Sequence, residues 1–246
     1  MKPEPYYQDA THTIYHGDCR EILPFLSEGE TIITDPVWPN AGVDMTGRED
    51  PEGLFRGMCE ALSPGTFERL VVHLGCDSDP RFLRAIPPEW GFLRVCWLDY
   101  AMPSHKGRLL YSGDVGYIYG VPPAYIKGRQ LMSGMCRSTM ADKMFVRGKK
   151  STHNGSFEKP SLRYAGLLHP CPRRLQHVEW LTLQFSDEAV CDPFMGSGTT
   201  GVAAKKWGRR FVGIEIEEEY CALAVGRIKR QQLAKQKRMI FEEEEQ

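Results

Sequence analysis

Two short stretches carry residue types that can do chemistry. In "TIITDPVWPN" (31–40) an apolar, strand-forming run ends in Asp35, Pro36, Val37 and Trp38. Proline offers no N–H to a ladder and restricts the residue before it to extended backbone, so the strand should stop there. Asp35 and Trp38 are then presented at its carboxyl end, the edge at which open α/β sheets hold ligands. In "DPFMGSGTTG" (192–201) the residues Gly196 to Gly201 spell G-x-G-x-x-G, and Glu215 follows about twenty residues on, at the end of another apolar run. Such glycines let the backbone turn tightly and approach a ligand, and an acid at that distance suits a ribose diol, so the pattern calls for an adenosine-type cofactor. A dinucleotide would place its pyrophosphate on the helix N-terminus. Asp192, directly before the loop, instead suits an ammonium group, such as the amino-acid end of S-adenosylmethionine.

These residues need elements to position them. "TIYHGD" (13–18), "ETIITD" (30–35), "RLVVHLG" (69–75), "FLRVCWL" (92–98), "DVGYIYG" (114–120), "AVCD" (189–192) and "RFVGIEI" (210–216) read as strands. "CREILPFL" (19–26), "PEGLFRGMCEAL" (51–62), "DPRFLRAI" (79–86), "RRLQHVEWLTLQF" (173–185) and "TTGVAAKKW" (199–207) read as helical. A long polar helix runs from Glu217 to about Arg238. The final "FEEEEQ" reads as a frayed acidic tail. Strands alternating with helices imply an α/β fold, a Rossmann-like, mostly parallel sheet with helices on both faces. Between 122 and 168 periodicity is lost and Gly, Ser, Lys and Arg accumulate, which marks an insertion. The 246 residues are expected to form one domain around it.

Net charge is −1, which argues against indiscriminate nucleic-acid binding, but the charge is uneven. From Ala124 to Arg174 eleven Lys or Arg face only Asp142 and Glu158, so this segment carries +9 and the rest of the chain −10. A basic stretch on an acidic chain is the footprint of a polyanion site. Eight cysteines lie scattered without a CxxC pair. Reduced thiols and no metal motif are the expectation. No apolar run is long enough to span a bilayer and "MKPEPYYQDATH" is no signal peptide, so a cytoplasmic location without membrane contact is expected.

Taken together, "DPFMGSGTTGVAA" followed by "FVGIE", with "DPVW" and "YHGDC" far before them, resembles the amino-methylating DNA methyltransferases. These use S-adenosylmethionine to modify the exocyclic amine of adenine or cytosine. The catalytic motif comes first and the cofactor loop last, which resembles the circularly permuted β-group, and the resemblance covers residues 13 to 230. It implies the class I methyltransferase fold. It further implies that Asp192, Pro193, Phe194, Gly196, Ser197, Gly198 and Thr199 hold the methionine part of the cofactor and Glu215 the ribose. Asp18 would lie by the adenine and His169, in "HPCPRR", by the methionine carboxylate.

The resemblance also gives the first motif a task. An exocyclic amine is a poor nucleophile because its lone pair is delocalised into the ring. A carboxylate oxygen of Asp35 and the carbonyl of Pro36 can accept its hydrogens, favouring a pyramidal nitrogen and stabilising charge as it attacks a sulfonium methyl in line. Trp38 offers a face for a flipped base to stack on. Two departures from the family stand out: Val37 replaces a second proline, and Arg173-Arg174 stand where Lys-Pro is usual.

Asp at position 35 favours adenine N6 as the target, with cytosine N4 the alternative, since the cytosine members more often begin this motif with Ser. An RNA adenine methyltransferase, an NAD-dependent oxidoreductase and a catalytically degenerate DNA-binding protein are further readings. DNA is the implied partner. Lys143, Arg147, Lys149 and Lys150 in the insertion are expected to contact its phosphates, with 122–168 acting as the target-recognition region. A homodimer and a cognate restriction endonuclease fit the family and are left open by the residues.

Overall fold

The computed structural model describes residues 3–26, 31–40, 45–62, 65–125, 132–137, 162–164, 167–169 and 173–244. In chain order its elements are β1 (Tyr7–Gln8), β2 (His12–His16), α1 (Cys19–Ile22), β3 (Thr31–Thr34), α2 (Pro51–Ala61), β4 (Arg69–Gly75), β5 (Phe92–Lys106), β6 (Leu109–Gly120) and β7 (Met135–Arg137). There follow β8 (Leu162–Tyr164), β9 (Leu167–His169), α3 (Leu175–Phe185), β10 (Ala189–Asp192), α4 (Thr199–Trp207), β11 (Arg210–Glu215) and α5 (Glu218–Glu244).

Nine strands form one sheet in the order β1-β2-β11-β10-β3-β4-β6-β5-β7, and β8 and β9 make a separate hairpin. The five central strands β2, β11, β10, β3 and β4 are mutually parallel, while β6 runs antiparallel to both β4 and β5. All four residues of β3 are buried, as a parallel strand covered on both faces requires. One core cluster joins Ile33 and Val71 to Leu181 and Phe185 of α3 and to Ala224 and Ile228 of α5. The other packs Ile32 and Val72 against Ile22 of α1 and against Phe55 and Met58 of α2. Thus alternate residues of each central strand feed opposite layers.

The carboxyl ends of β2, β11, β10 and β3 are neighbours in the sheet, spaced by one strand separation of about 4.8 Å each. Asp18 lies just after β2, Glu215 ends β11, Asp192 ends β10, and Asp35 follows β3. Residues distant in sequence are thereby aligned along one edge.

Several elements differ from the sequence expectation. β5 and β6 extend past 98 and start before 114, forming a hairpin with a bulge between Asp99 and Ser104 and a turn at Gly107 (φ +60°). Pro103 and the loss of alternation hide this extension in the sequence. The 79–86 segment is a 3-10 helix over Pro80–Ala85. The acidic tail is not frayed to the extent expected: α5 continues to Glu244, consistent with the high helix propensity of its Glu, Lys, Met and Gln residues.

Seven cysteines are free among the described residues. No helix among them is long and apolar enough to cross a membrane.

Candidate active site

The glycine loop connects β10 to α4, and its carboxylate is fixed first. Asp192, 3% exposed, accepts from Thr34 Oγ1 (2.7 Å) and the Phe194 amide (3.2 Å) on one oxygen and from Thr200 Oγ1 (2.6 Å) on the other. Burial outweighs these bonds and raises its carboxyl to about 7, with the nearby Asp35 charge adding to the rise. A buried carboxyl held near neutrality at the wall of a cleft suits an incoming ammonium group, which would stabilise its charged form.

Gly198 caps α4 in the left-handed region (φ +76°), and a Cβ there would stand 2.6 Å from the Ala224 Cβ. Only glycine meets both demands. Glu215 Oε2 accepts from the Gly196 amide at 2.7 Å and Oε1 from the Glu217 amide at 2.9 Å, so the acid at the end of β11 pins the loop of β10. From α5, the buried Arg227 donates through Nη1 to the Ser197 carbonyl (2.6 Å), to Ser197 Oγ (2.7 Å) and to Thr199 Oγ1 (3.1 Å). Asp18 caps α1 through the Arg20 amide (2.9 Å) and pairs with the Arg20 side chain, which lowers its carboxyl below the usual range.

Asp35, Pro36 and Trp38 line the same cleft as Asp18, Asp192 and Glu215, a space of about 410 Å³. The two motifs, 157 residues apart between Asp35 and Asp192, therefore face one volume. Pro193, Phe194, Gly196, Ser197 and Thr199 line it too, whereas Gly198 shapes the loop from behind, against Ala224.

Around Asp35 the structure adds residues that the sequence reading did not select. Arg173 donates from Nε and Nη2 to the two Asp35 oxygens, both at 2.6 Å. Its Cζ stands 5.1 Å from the centre of the Trp38 ring, within cation–π range. Nη1 also approaches Asp114 Oδ1 at 3.4 Å. Burial opposes the Arg173 charge, but Asp35 and then Asp114 outweigh it and raise its pKa.

Asp114 is itself buried (3% exposed). His73 Nε2 donates to its Oδ2 at 3.0 Å, and Tyr100 Oη donates to its Oδ1. His177, whose Nε2 donates to the Asp99 carbonyl (3.0 Å), turns Nδ1 toward Oδ2 at 3.5 Å. The Tyr100 ring stacks on His177 with 7° between planes, and Arg174 Cζ lies 4.3 Å from the Tyr100 ring centre. Against burial, Arg173, His177 and His73 hold the Asp114 carboxyl well below the usual range. His73, Asp114 and His177 bring ligand-type atoms within 4.8 Å of one another. That carboxylate is already engaged on both oxygens, and the adjacent guanidinium repels a dication, so the trio reads as a hydrogen-bonded hub.

One signal for this hub exists in the sequence. His73 interrupts "RLVVHLG", and a polar ring in a strand buried on both faces must have a partner. Arg173 is marked in the sequence only as a departure from Lys-Pro, and Asp114, Tyr100 and Arg227 carry no comparable local signal. Of His169 only the backbone, at the end of β9, is described. Lys143, Arg147, Lys149 and Lys150 lie outside the described residues.

The chain resembles known proteins in both sequence and fold. A family model described as DNA methylase (N6_N4_Mtase) matches residues 149–226. The chain is 54% identical to the Type II methyltransferase M.ScaI of Streptomyces caespitosus, over 92% of this chain and 84% of that protein. It is 42% identical to the Type II methyltransferase M2.LlaDCHI of Lactococcus lactis subsp. cremoris over 90 residues, 35% of this chain and about a third (33%) of that relative's length. Among solved structures, the PvuII DNA methyltransferase (cytosine-N4-specific) superposes with a TM-score of 0.62 at 16% identity, over 92% of this chain and 89% of that one. The M1.HpyAVI–SAM complex does so at 0.57 and 20%, over 88% and 99%. At these identities the structural likeness speaks for the fold.

Proposed function

Since the chain belongs to the N6/N4 amino DNA methyltransferases, we propose that it transfers a methyl group from S-adenosylmethionine to the N6 amine of adenine in DNA. The observation that carries this reading is the opening of Asp35, Pro36 and Trp38 into the same cleft as the glycine loop, Asp192 and Glu215. A methyl donor and an amine acceptor must share one volume for in-line transfer.

The residues fit the donor. Asp192 faces the cleft with a carboxyl raised to about 7, mainly by burial, and gains from a neighbouring ammonium. Asp192, Pro193, Phe194, Gly196, Ser197 and Thr199 line the methionine end, Gly198 sets the loop's turn, and Glu215 serves the ribose hydroxyls. Asp18 stands at the adenine end, and His169 serves the methionine carboxylate. When bound, the sulfonium supplies an electrophilic methyl group.

On the acceptor side, the base leaves the duplex to reach Asp35. A carboxylate oxygen of Asp35 and the Pro36 carbonyl accept hydrogen bonds from the two amine N–H groups. These acceptors draw the nitrogen lone pair out of conjugation and stabilise positive charge as it develops. The one proton released once the N–C bond has formed has the Asp35 carboxylate within reach. Trp38 stacks on the ring. Asp35 rather than Ser at the head of this motif supports adenine over cytosine N4. The segment 122–168 acts as an inserted recognition region within one methyltransferase domain, with Lys143, Arg147, Lys149 and Lys150 on phosphates.

The test is methylation of unmodified genomic DNA by the purified protein, followed by nucleoside mass spectrometry. N6-methyladenine is the expected product. N4-methylcytosine would overturn the adenine assignment, and unmodified DNA would overturn the activity.

A further inference from the structure

Arg173 makes, within its own chain, the contacts that the proposed function assigns to the target base. Its planar guanidinium donates two N–H groups to the Asp35 carboxylate at 2.6 Å each and sits 5.1 Å from the Trp38 ring centre. A flipped adenine would bring a planar ring to the same indole and amine hydrogens to the same carboxylate. Two such occupants compete for one place.

The guanidinium also has somewhere to go. Asp114 Oδ1 already lies 3.4 Å from Nη1, and this carboxylate accepts from His73 Nε2 at 3.0 Å and from the Tyr100 hydroxyl, with the His177 ring packed beside it. A rigid buried acceptor beside a partly exposed one (22%) gives Arg173 two alternative carboxylates, and rotation of its side chain exchanges them. The guanidinium keeps a carboxylate throughout: when the base takes Asp35, the arginine retains Asp114. Asp35, 22% exposed at the cleft, then exchanges the guanidinium's two hydrogen bonds for those of the base amine.

We propose that Arg173 is a surrogate occupant of the base site, handed from Asp35 to Asp114 when the target base enters, and that Asp114 is the positioning residue that receives it. The inference rests on the proposed base site. It keeps the Asp35 carboxylate and the Trp38 face occupied until a target base displaces the arginine.

The experiment is a two-residue cycle, read as single-turnover methyl transfer to unmodified DNA at saturating S-adenosylmethionine and normalised to cofactor-binding sites. Asp114→Asn removes the second acceptor and leaves Arg173 on Asp35, so transfer should slow about tenfold or more. Adding Arg173→Met removes the occupant, and the double variant should be several-fold faster than Asp114→Asn alone. Simple loss of structure, or a static role for Arg173 in orienting Asp35, predicts a double variant as slow as the single or slower, which overturns the proposal. A wild-type protein that transfers no methyl group overturns the underlying function instead. Should Asp114→Asn fail to fold, a crystal structure of the wild-type protein with S-adenosylhomocysteine and a substrate duplex decides the matter. The fork should be found on Asp114 with the base amine on Asp35, and a fork still on Asp35 beside a flipped base refutes the handover.

Discussion

Arg173 and Asp35, 138 positions apart in the chain, form a two-point fork with both N···O distances at 2.6 Å. Bidentate geometry fixes the plane of a carboxylate as well as its position, and here both partners are mostly buried, with 14% and 22% of their side-chain surfaces exposed. The departure from the usual Lys-Pro at this point of the family therefore has a structural consequence: a lysine ammonium is a point charge and has no second parallel donor.

Replacing Asp35 by Ala should lower methyl transfer by about 10²- to 10³-fold, the scale of losing one transition-state hydrogen-bond partner. The dissociation constant for S-adenosylmethionine should hardly move, because Asp35 acts on the amine. Calorimetric titration beside single-turnover kinetics checks both halves. A rate within a few-fold of wild type would remove Asp35 from the reaction.

Asp192 predicts a pH dependence. Its carboxyl is raised from 3.8 to about 7, chiefly by burial. The folded chain thus holds this proton more tightly than the unfolded chain, and the stability so gained is complete below about pH 4 and lost as pH rises toward 7. An ammonium ligand prefers the ionised carboxylate, so affinity for S-adenosylmethionine should climb with pH up to about 7 and then level off. Asp192→Asn should flatten this climb and the corresponding change in Tm. A wild-type affinity that falls between pH 5 and 7 would contradict the assignment.

Gly198→Ala tests the loop. A side chain at φ +76° costs about 1–2 kcal/mol from backbone alone, and the added Cβ would press on Ala224 at 2.6 Å. Lower thermal stability and weakened cofactor binding are expected together. Unchanged binding in the variant would separate this glycine from the cofactor site.

The basic insertion yields a salt-dependence prediction. If Lys143, Arg147, Lys149 and Lys150 hold phosphates, changing them to Ala should weaken binding to all DNA sequences alike. Each lost contact should flatten the slope of log K against log salt by about one unit. Fluorescence anisotropy across a salt series reads this directly. An unchanged slope would move the DNA surface elsewhere and leave the cofactor site as it stands.

What the sequence determined by itself is local. Pro36 ends β3 because it removes a donor, and Gly198 turns the loop because only glycine tolerates that φ without strain. The strand–loop–helix around 189–207 follows from short-range pattern and propensity. Those constraints act within a few residues, so Asp35, Asp192, the glycines and Glu215 could be selected without a structure. What only the tertiary structure decided is which of these meet, and through whom. Strand order sets β2, β11, β10 and β3 side by side and so lines up Asp18, Glu215, Asp192 and Asp35. The Arg173 fork, the Asp114 hub with His73, Tyr100 and His177, and the Arg227 brace on Ser197 join elements dozens of residues apart. Such contacts have no period and no fixed spacing. They exist because a buried charge must find its partner across whatever chain the fold brings near.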